Sequence, residues 1–311
     1  MKSSANSFSK GKVRFRKYLP VYLMILPGVI YLFINNYMPL PGLVLAFKSY
    51  NAKKGIYKSA WVGLKNFKYL FATKDAFVIT RNTLLYNLAF IIVNTVLAIA
   101  VAIILSELTG KAKNFYQSAI LLPYMISMVI VSYLVFAFLS AENGFFNRTI
   151  LRLMGKEAIF WYQEKKYWPY IIIFVNSWKV IGYNCIIYLS TILGIDRNYY
   201  EAAAIDGAGK MKQITSITLP LLKPTVVMMT FLAIGRIFYS DFSLFYQVPM
   251  NSGPLFPVTN TIDTYVYRGL LELGDIALSA AAGFYQSVVG FVLVVISNLL
   301  LRKLDPENAL F

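Results

Sequence analysis

The residues with chemical promise in this chain fall into two settings. One is a small-residue segment between two apolar stretches, and the other is a set of polar side chains inside such stretches. The segment, residues 196–225, reads DRNYYEAAAIDGAGKMKQITSITLPLLKPT. Asn198 is placed to cap a helix with Glu201 three residues on as capping-box partner, and Ala202 to Ala204 favour helix. Gly207 and Gly209 break it, and Pro220 and Pro224 mark the entry into the next apolar stretch. The product is an amphipathic elbow that presents small residues and one carboxylate. The second setting contains Asn176, Trp178 and Lys179; then Arg236, Tyr239 and Asp241, continuing to Tyr246; and, as weaker candidates, Tyr133, Tyr285 and Gln286. Polar groups inside apolar stretches are default pointers to a pathway. Aromatic faces suit the CH surfaces of a sugar, and amides, carboxylates and hydroxyls suit its hydroxyl groups. For each residue two readings stay open, solute contact or a tie between helices, and Lys179 could also snorkel from the outer end of its helix. Asp241 leans toward solute contact, because it lies where its stretch should widen toward an outer cavity.

Several chemistries are excluded at once. The chain has no histidine and a single cysteine, Cys185, so histidine-based zinc sites, imidazole bases, Ser-His-Asp triads and a disulfide framework are out. The pairs Gly11-Lys12, Gly110-Lys111, Gly155-Lys156 and Gly209-Lys210 are followed by Val, Ala, Glu and Met, so none completes a nucleotide-binding loop. No catalytic residue, bound metal or bound cofactor is expected.

The elements that must position these groups follow from composition. Of 311 residues, 58% are hydrophobic and only 14% charged, with mean hydropathy +0.58. Soluble domains carry about 45–50% apolar and about 25% charged residues, so the surplus calls for a lipid bilayer. Residues 18–47, 82–106, 114–141 and 276–301 carry no charge; 167–195 is interrupted only by Lys179, and 224–248 by Arg236 and Asp241. Each exceeds the roughly 20 residues a helix needs to cross the hydrocarbon core. The runs are apolar all round, which excludes a strand-built barrel. The expected fold is an all-α polytopic membrane protein of six spans. Its divisions are a basic N-terminus (1–17), a first span (18–47) that Pro20 and Pro27 kink or begin, an outer loop (48–81), a core of spans 2–6 (82–301) with the elbow at 196–220, and a tail (302–311). The N-terminal run lacks a small-x-small cleavage site and is read as retained. Gly283 and Gly290, with Ala280 to Ala282, are expected to allow close helix packing.

The charge balance, 30 Lys and Arg against 14 Asp and Glu, gives +16. In so apolar a chain this fits basic loops on an anionic bilayer, and no nucleic-acid partner is expected. Lys2, Lys10, Lys12, Arg14, Arg16 and Lys17 precede the first span and put the N-terminus in the cytoplasm. Six crossings return the C-terminus to the same side. The 48–81 loop is an exception to the charge rule: it carries eight basic residues on the outside, offset only by Asp75, together with aromatics that suit the outer leaflet.

The elbow carries a family resemblance. Glu201-Ala202-Ala203, Gly207 four residues after Ala203, the Asp206-Gly207-Ala208 core, and Ile217-x-Leu219-Pro220 nine residues later match the EAA loop. That loop resembles the signature of the membrane subunits of bacterial ABC importers. WVGLKNFKYLF, IDTYVYRGLL, ALSAAAGFYQSVVGFVLVVISNLLLRK and the ending ENALF look like the sugar branch, and within it the polysaccharide and complex-glycan permeases of Gram-positive bacteria. The resemblance implies a type I importer permease fold with cytoplasmic coupling helices, in the bacterial cell membrane. It implies docking of ATPase subunits at Glu201, Ala202, Ala203, Asp206, Gly207, Ala208, Ile217, Leu219 and Pro220. The small residues allow close approach, and the glutamate offers a carboxylate to a basic partner. The implied partners are a second homologous permease, two ABC ATPases that use the ATP and Mg, a solute-binding lipoprotein outside, and a carbohydrate substrate. A peptide or other non-sugar solute is the alternative within the class. A secondary transporter would need acidic sites inside spans and inverted repeats, of which only Asp241 is a candidate.

Overall fold

The fold was analysed in a computed structural model that describes residues 5–304. Lys2 and the ENALF ending lie outside the described residues. Five helical segments are long and apolar enough to cross a membrane, and one bent pair of helices is so when taken together. The only sheet among the described residues is a two-stranded one, β1 (Lys48–Ser49) against β2 (Ala60–Trp61).

Helix α1 (Ala5–Leu32) holds Pro20 and Pro27 in its interior, so neither proline begins it. It continues through a π turn at Phe33–Tyr37 and a 3-10 turn at Leu40–Phe47. From Tyr18 to Leu40 its side chains are exposed. The body begins at Phe47, whose ring meets Phe284 at 5.3 Å. A hairpin follows, pinned by Lys48 Nζ on the carbonyls of Ile56 and Tyr57, and then the short helix α2 (Lys65–Ala72).

At the centre, α3 (Lys74–Glu107) and α6 (Trp168–Leu193) run parallel. Near one end Tyr86 and Phe90 pack with Trp168, Ile172 and Val175; near the other Ala98, Ala102 and Leu105 pack with Cys185, Tyr188 and Ile192. Between the two clusters sits a buried polar clasp. Asn94 donates to Asn176 at 2.9 Å and accepts from Ser177 at 2.7 Å. Amides buried in an apolar setting need such partners, because an unpaired one costs roughly 1–3 kcal/mol.

Two spans depart from the sequence expectation. The 114–141 stretch is not one helix but two, α4 (Gly110–Met125) and α5 (Met128–Leu139), bent by 94°. Ser127 caps the second piece by accepting from Ile130 N. The end of the first is closed by Lys179, whose ammonium donates to the carbonyls of Pro123 at 3.3 Å, Tyr124 at 3.2 Å and Ile126. Lys179 sits near the middle of α6, not at its outer end. One turn on, a β-carbon at Gly182 would collide with the Ile120 carbonyl, so α4 and α6 touch backbone to backbone.

The fifth crossing is α8, Lys210–Ile234, not 224–248. It starts at the elbow, and within it Pro220 opens the regular α-helical stretch Leu219–Ile234 while Pro224 lies inside that stretch. A π turn at Ile214–Thr218 precedes the prolines; such turns rearrange the ladder where a proline removes a donor. The helix stops at Gly235, and the chain unwinds to Ser240 before α9 (Phe242–Gln247). The short helix α10 (Ile262–Leu271) follows, opened by a capping box between Thr261 and Thr264. The last helix, α11 (Ile276–Leu304), packs against α10 and the Leu40–Phe47 turn. Its Gly290 lets the Tyr239 ring approach, whereas Gly283 faces open space and serves no close contact.

Two substitutions probe this frame. Alanine normally gains about 1 kcal/mol over glycine inside a helix. Gly182→Ala should instead lower the melting temperature of the purified protein, and a rise would refute the close α4–α6 contact. Lys179→Met should cost about 1–3 kcal/mol by leaving the α4 carbonyls without a donor, and an unchanged denaturation midpoint would rule the cap out.

Candidate functional site

The elbow is built as a small rigid unit. Its helix α7 (Arg197–Ile205) is capped by Asp196, whose Oδ1 accepts from Asn198 N at 3.0 Å. Asp196, not Asn198, is thus the cap. The helix ends in a Schellman pair, with Ala208 N on Ala203 O at 2.8 Å and Gly207 N on Ala204 O at 3.0 Å. That closure requires a left-handed residue, and Gly207 supplies it at φ +79°. Gln213 Nε2 then reaches back to Ala208 O at 3.1 Å. Tyr200 and Thr218 share a 2.9 Å hydroxyl contact, and Lys210 pairs with Glu107 at the end of α3 at 2.7 Å. Glu201, Ala202, Asp206 and Gly207 are exposed; Ala203, Ala208 and Ile217 are half-buried; Leu219 and Pro220 are exposed at the start of the straight part of α8. Beside them Ile205 is 87% and Met211 73% exposed. An elbow with two large apolar side chains so bare, and a backbone so tightly tied, has the form of a docking knob.

Toward the other end of the same helices lies a half-open cavity of about 620 Å³ with mixed polar and apolar walls, lined by α3, α4, α6, α8 and the unwound 235–241 segment. Its walls hold Asn94 and Asn176 of the clasp, Asn184, and the stacked rings of Tyr124 and Tyr183, 4.9 Å apart and 13° from parallel. The unwound segment contributes Arg236, Tyr239, Ser240 and Asp241. Three helices hold that segment open. Asn87 of α3 donates to the carbonyls of Ile237 at 2.9 Å and Tyr239 at 3.0 Å. Gln286 of α11 donates to Phe238 O at 3.0 Å, and Asp263 of α10 accepts from Ser240 N at 2.8 Å and Ser240 Oγ at 2.6 Å. Asp241 caps α9 by accepting from Leu244 N at 3.2 Å.

Of the side chains singled out from sequence, Asn176, Arg236, Tyr239 and Asp241 border this cavity. The others go elsewhere. Lys179 is committed to the end of α4. Trp178 lines a separate, apolar cavity of about 600 Å³ with Tyr170 and Phe174. Tyr133 is exposed on α5, and Tyr246 donates to Glu272 at 3.0 Å. Tyr285 shares a 3.1 Å hydroxyl contact with Thr80, and Gln286 holds the unwound segment from outside the cavity. Sequence reasoning missed Asn87, Asn94, Tyr124, Tyr183 and Asn184. The signal for the amides was their spacing: residues 87 and 94, and 176 and 184, lie two turns apart and share a helix face.

The family described as binding-protein-dependent transport system inner membrane component matches residues 76–306. The chain is 36% identical to the polygalacturonan/rhamnogalacturonan transport system permease protein YteP of Bacillus subtilis (strain 168), covering 94% of this chain and 90% of that protein. Among solved structures, it is similar to a chain of a bacterial ABC transporter involved in the import of the acidic polysaccharide alginate. That match has 29% identity and a TM-score of 0.85, and covers 95% of this chain and 99% of that one. A second crystal structure, of a bacterial alginate ABC transporter in complex with alginate pentasaccharide-bound periplasmic protein, matches at 29% identity and TM-score 0.83, over 94% of this chain and 96% of that one. With the match spanning α3 to α11, the chain belongs to the binding-protein-dependent transport inner membrane component family and is a multi-pass membrane permease.

Proposed function

We propose that this chain is one of two permeases lining the path of an ATP-driven carbohydrate importer in a bacterial cell membrane. The observation that carries this reading is the coupling of elbow and cavity through shared helices. Helix α6 runs from Asn176 and Tyr183 to the elbow, and α8 runs from the elbow to Ile234, just before the segment that carries Arg236 and Asp241. A displacement of the elbow therefore moves two opposite walls of the cavity.

In this reading the elbow face is cytoplasmic, as are both termini. Two ATPase subunits use ATP and Mg, while this chain binds neither. Each seats an elbow, with Glu201 offered to a basic group and Ile205 and Met211 filling apolar recesses. Closure of the ATPase pair draws the elbows together, and α6 and α8 carry that motion to the cavity, which opens outward to receive solute from a binding lipoprotein. Resetting opens it inward. The carbohydrate assignment is supported by the similar transport proteins, by the stacked tyrosines that suit a sugar's CH face, and by amides that suit its hydroxyls.

Coupling and path are separately testable in the reconstituted importer. Gly207→Val forces a β-branched residue into left-handed backbone and should lower solute moved per ATP hydrolysed by at least about tenfold. If uptake and hydrolysis stay in their wild-type ratio, the elbow does not couple them. Asp241→Asn keeps an oxygen for the Leu244 cap but removes the charge, so a fall in uptake with intact assembly reports on the path itself. Wild-type uptake by that variant would remove the Asp241 carboxylate from the mechanism.

A further inference from the structure

The charged groups in and around the cavity differ in one respect. Lys179 has its three backbone carbonyls, Asp241 has the Leu244 amide, and Asp263, behind Ser240, accepts from Ser240 and Gln286. Arg236 has no hydrogen bond, ion pair or ring contact from its side chain among the described residues, although it lines the cavity and its side chain is exposed. It stands two residues past the end of α8, on the unwound segment that Asn87, Gln286 and Asp263 hold from behind.

A guanidinium between membrane-spanning helices that faces a cavity is by default a group of the pathway. This one forms no ion pair with Asp241, although both border one cavity. Its planar fork of N–H donors fits a carboxylate at two points, a match that neutral hydroxyls do not provide. The stacked Tyr124 and Tyr183 and the amides of Asn176 and Asn184 line the same space, ready for the ring that bears that carboxylate.

From these contacts we infer that Arg236 is a carboxylate-binding residue of the path, and that the solute passing it is an acidic oligosaccharide carrying uronate groups. The inference rests on the carbohydrate-importer reading and narrows its substrate class. Arg236 acts as a specificity determinant: it holds one uronate carboxylate while the tyrosine pair and the amides engage the ring. As the cavity turns over, the carboxylate is handed from water to the guanidinium and back, and the charge of the arginine is never left without either.

The test uses the complete importer in liposomes, with its second permease, ATPases and binding protein, and co-purification of the subunits establishes assembly for each variant. Uptake is measured for a uronate oligosaccharide and for its methyl-esterified form, as the ratio of variant to wild type, so that the preference of the binding protein cancels. Arg236→Gln should lower uptake of the acid by at least about tenfold, as expected for losing a charge-assisted bond, and lower that of the ester far less. Arg236→Lys, which keeps the charge and loses the fork, should fall between wild type and Arg236→Gln on the acid. Three outcomes overturn the inference while leaving the path reading standing: wild-type uptake of the acid by Arg236→Gln, equal losses on acid and ester, or Arg236→Lys as poor as Arg236→Gln. An equal loss on both forms would mean that Arg236 pairs with a group of the second permease. A wild-type importer that moves neither form but moves a neutral oligosaccharide overturns the uronate assignment alone, and one that moves no oligosaccharide brings down the carbohydrate reading as well.

Discussion

The Lys179 ammonium sits where helix α4 runs out of backbone partners, near the middle of α6. Inside a bilayer an unpaired peptide carbonyl costs several kcal/mol, so a helix can end there only if something donates to it. The three-carbonyl cap makes the 94° turn between α4 and α5 tenable. The turn in turn leaves the backbone of α4 against Gly182 and places Tyr124 beside Tyr183. Remove the cap and the stacked tyrosines lose their register, because α4 has no reason to stop at Met125.

The second break follows the same logic with neutral groups. Gly235 to Ser240 would expose peptide groups at the end of α8, and Asn87, Gln286 and Asp263 take them up from three different helices. The cavity lies between these two breaks. Much of the polar inventory of the spans is therefore spent on backbone, and only what remains faces the cavity. The elbow is a third instance: Asp196, Gly207 and Gln213 satisfy the ends of its helices and tie it into one unit.

Hydropathy read the spans well and the breaks badly, for a physical reason. A charge-free window records that residues tolerate lipid, and it is blind to whether their peptide groups are paired. Nothing in the run from Asn114 to Ala141 announces a bend, since the donor that permits it is 53 to 56 residues away on α6. The break after Ile234 was visible as an interruption by Arg236 and Asp241, but an interruption and an end look alike without the side chains that hold the end. The elbow was legible because its signals are local: a Gly that must be left-handed, alanines, and cap residues within one turn. Even there the cap shifted by two positions, from Asn198 to Asp196, because both types can cap and only the backbone angle of the residue decides between them.

The same distinction separates the two cations of the central spans. Lys179 and Arg236 each interrupt an apolar run, and by composition either could meet a solute or serve the frame. An ammonium suits a fan of carbonyls, since its three protons can point to three acceptors, and that is where Lys179 is found. A guanidinium placed beyond the end of α8 has backbone nearby as well, but the carbonyls of Ile237, Phe238 and Tyr239 already accept from Asn87 and Gln286. The amides that hold the second break engage those carbonyls, and among the described residues Arg236 donates to none of them. Because the frame is satisfied without it, its charge is left for whatever enters the cavity.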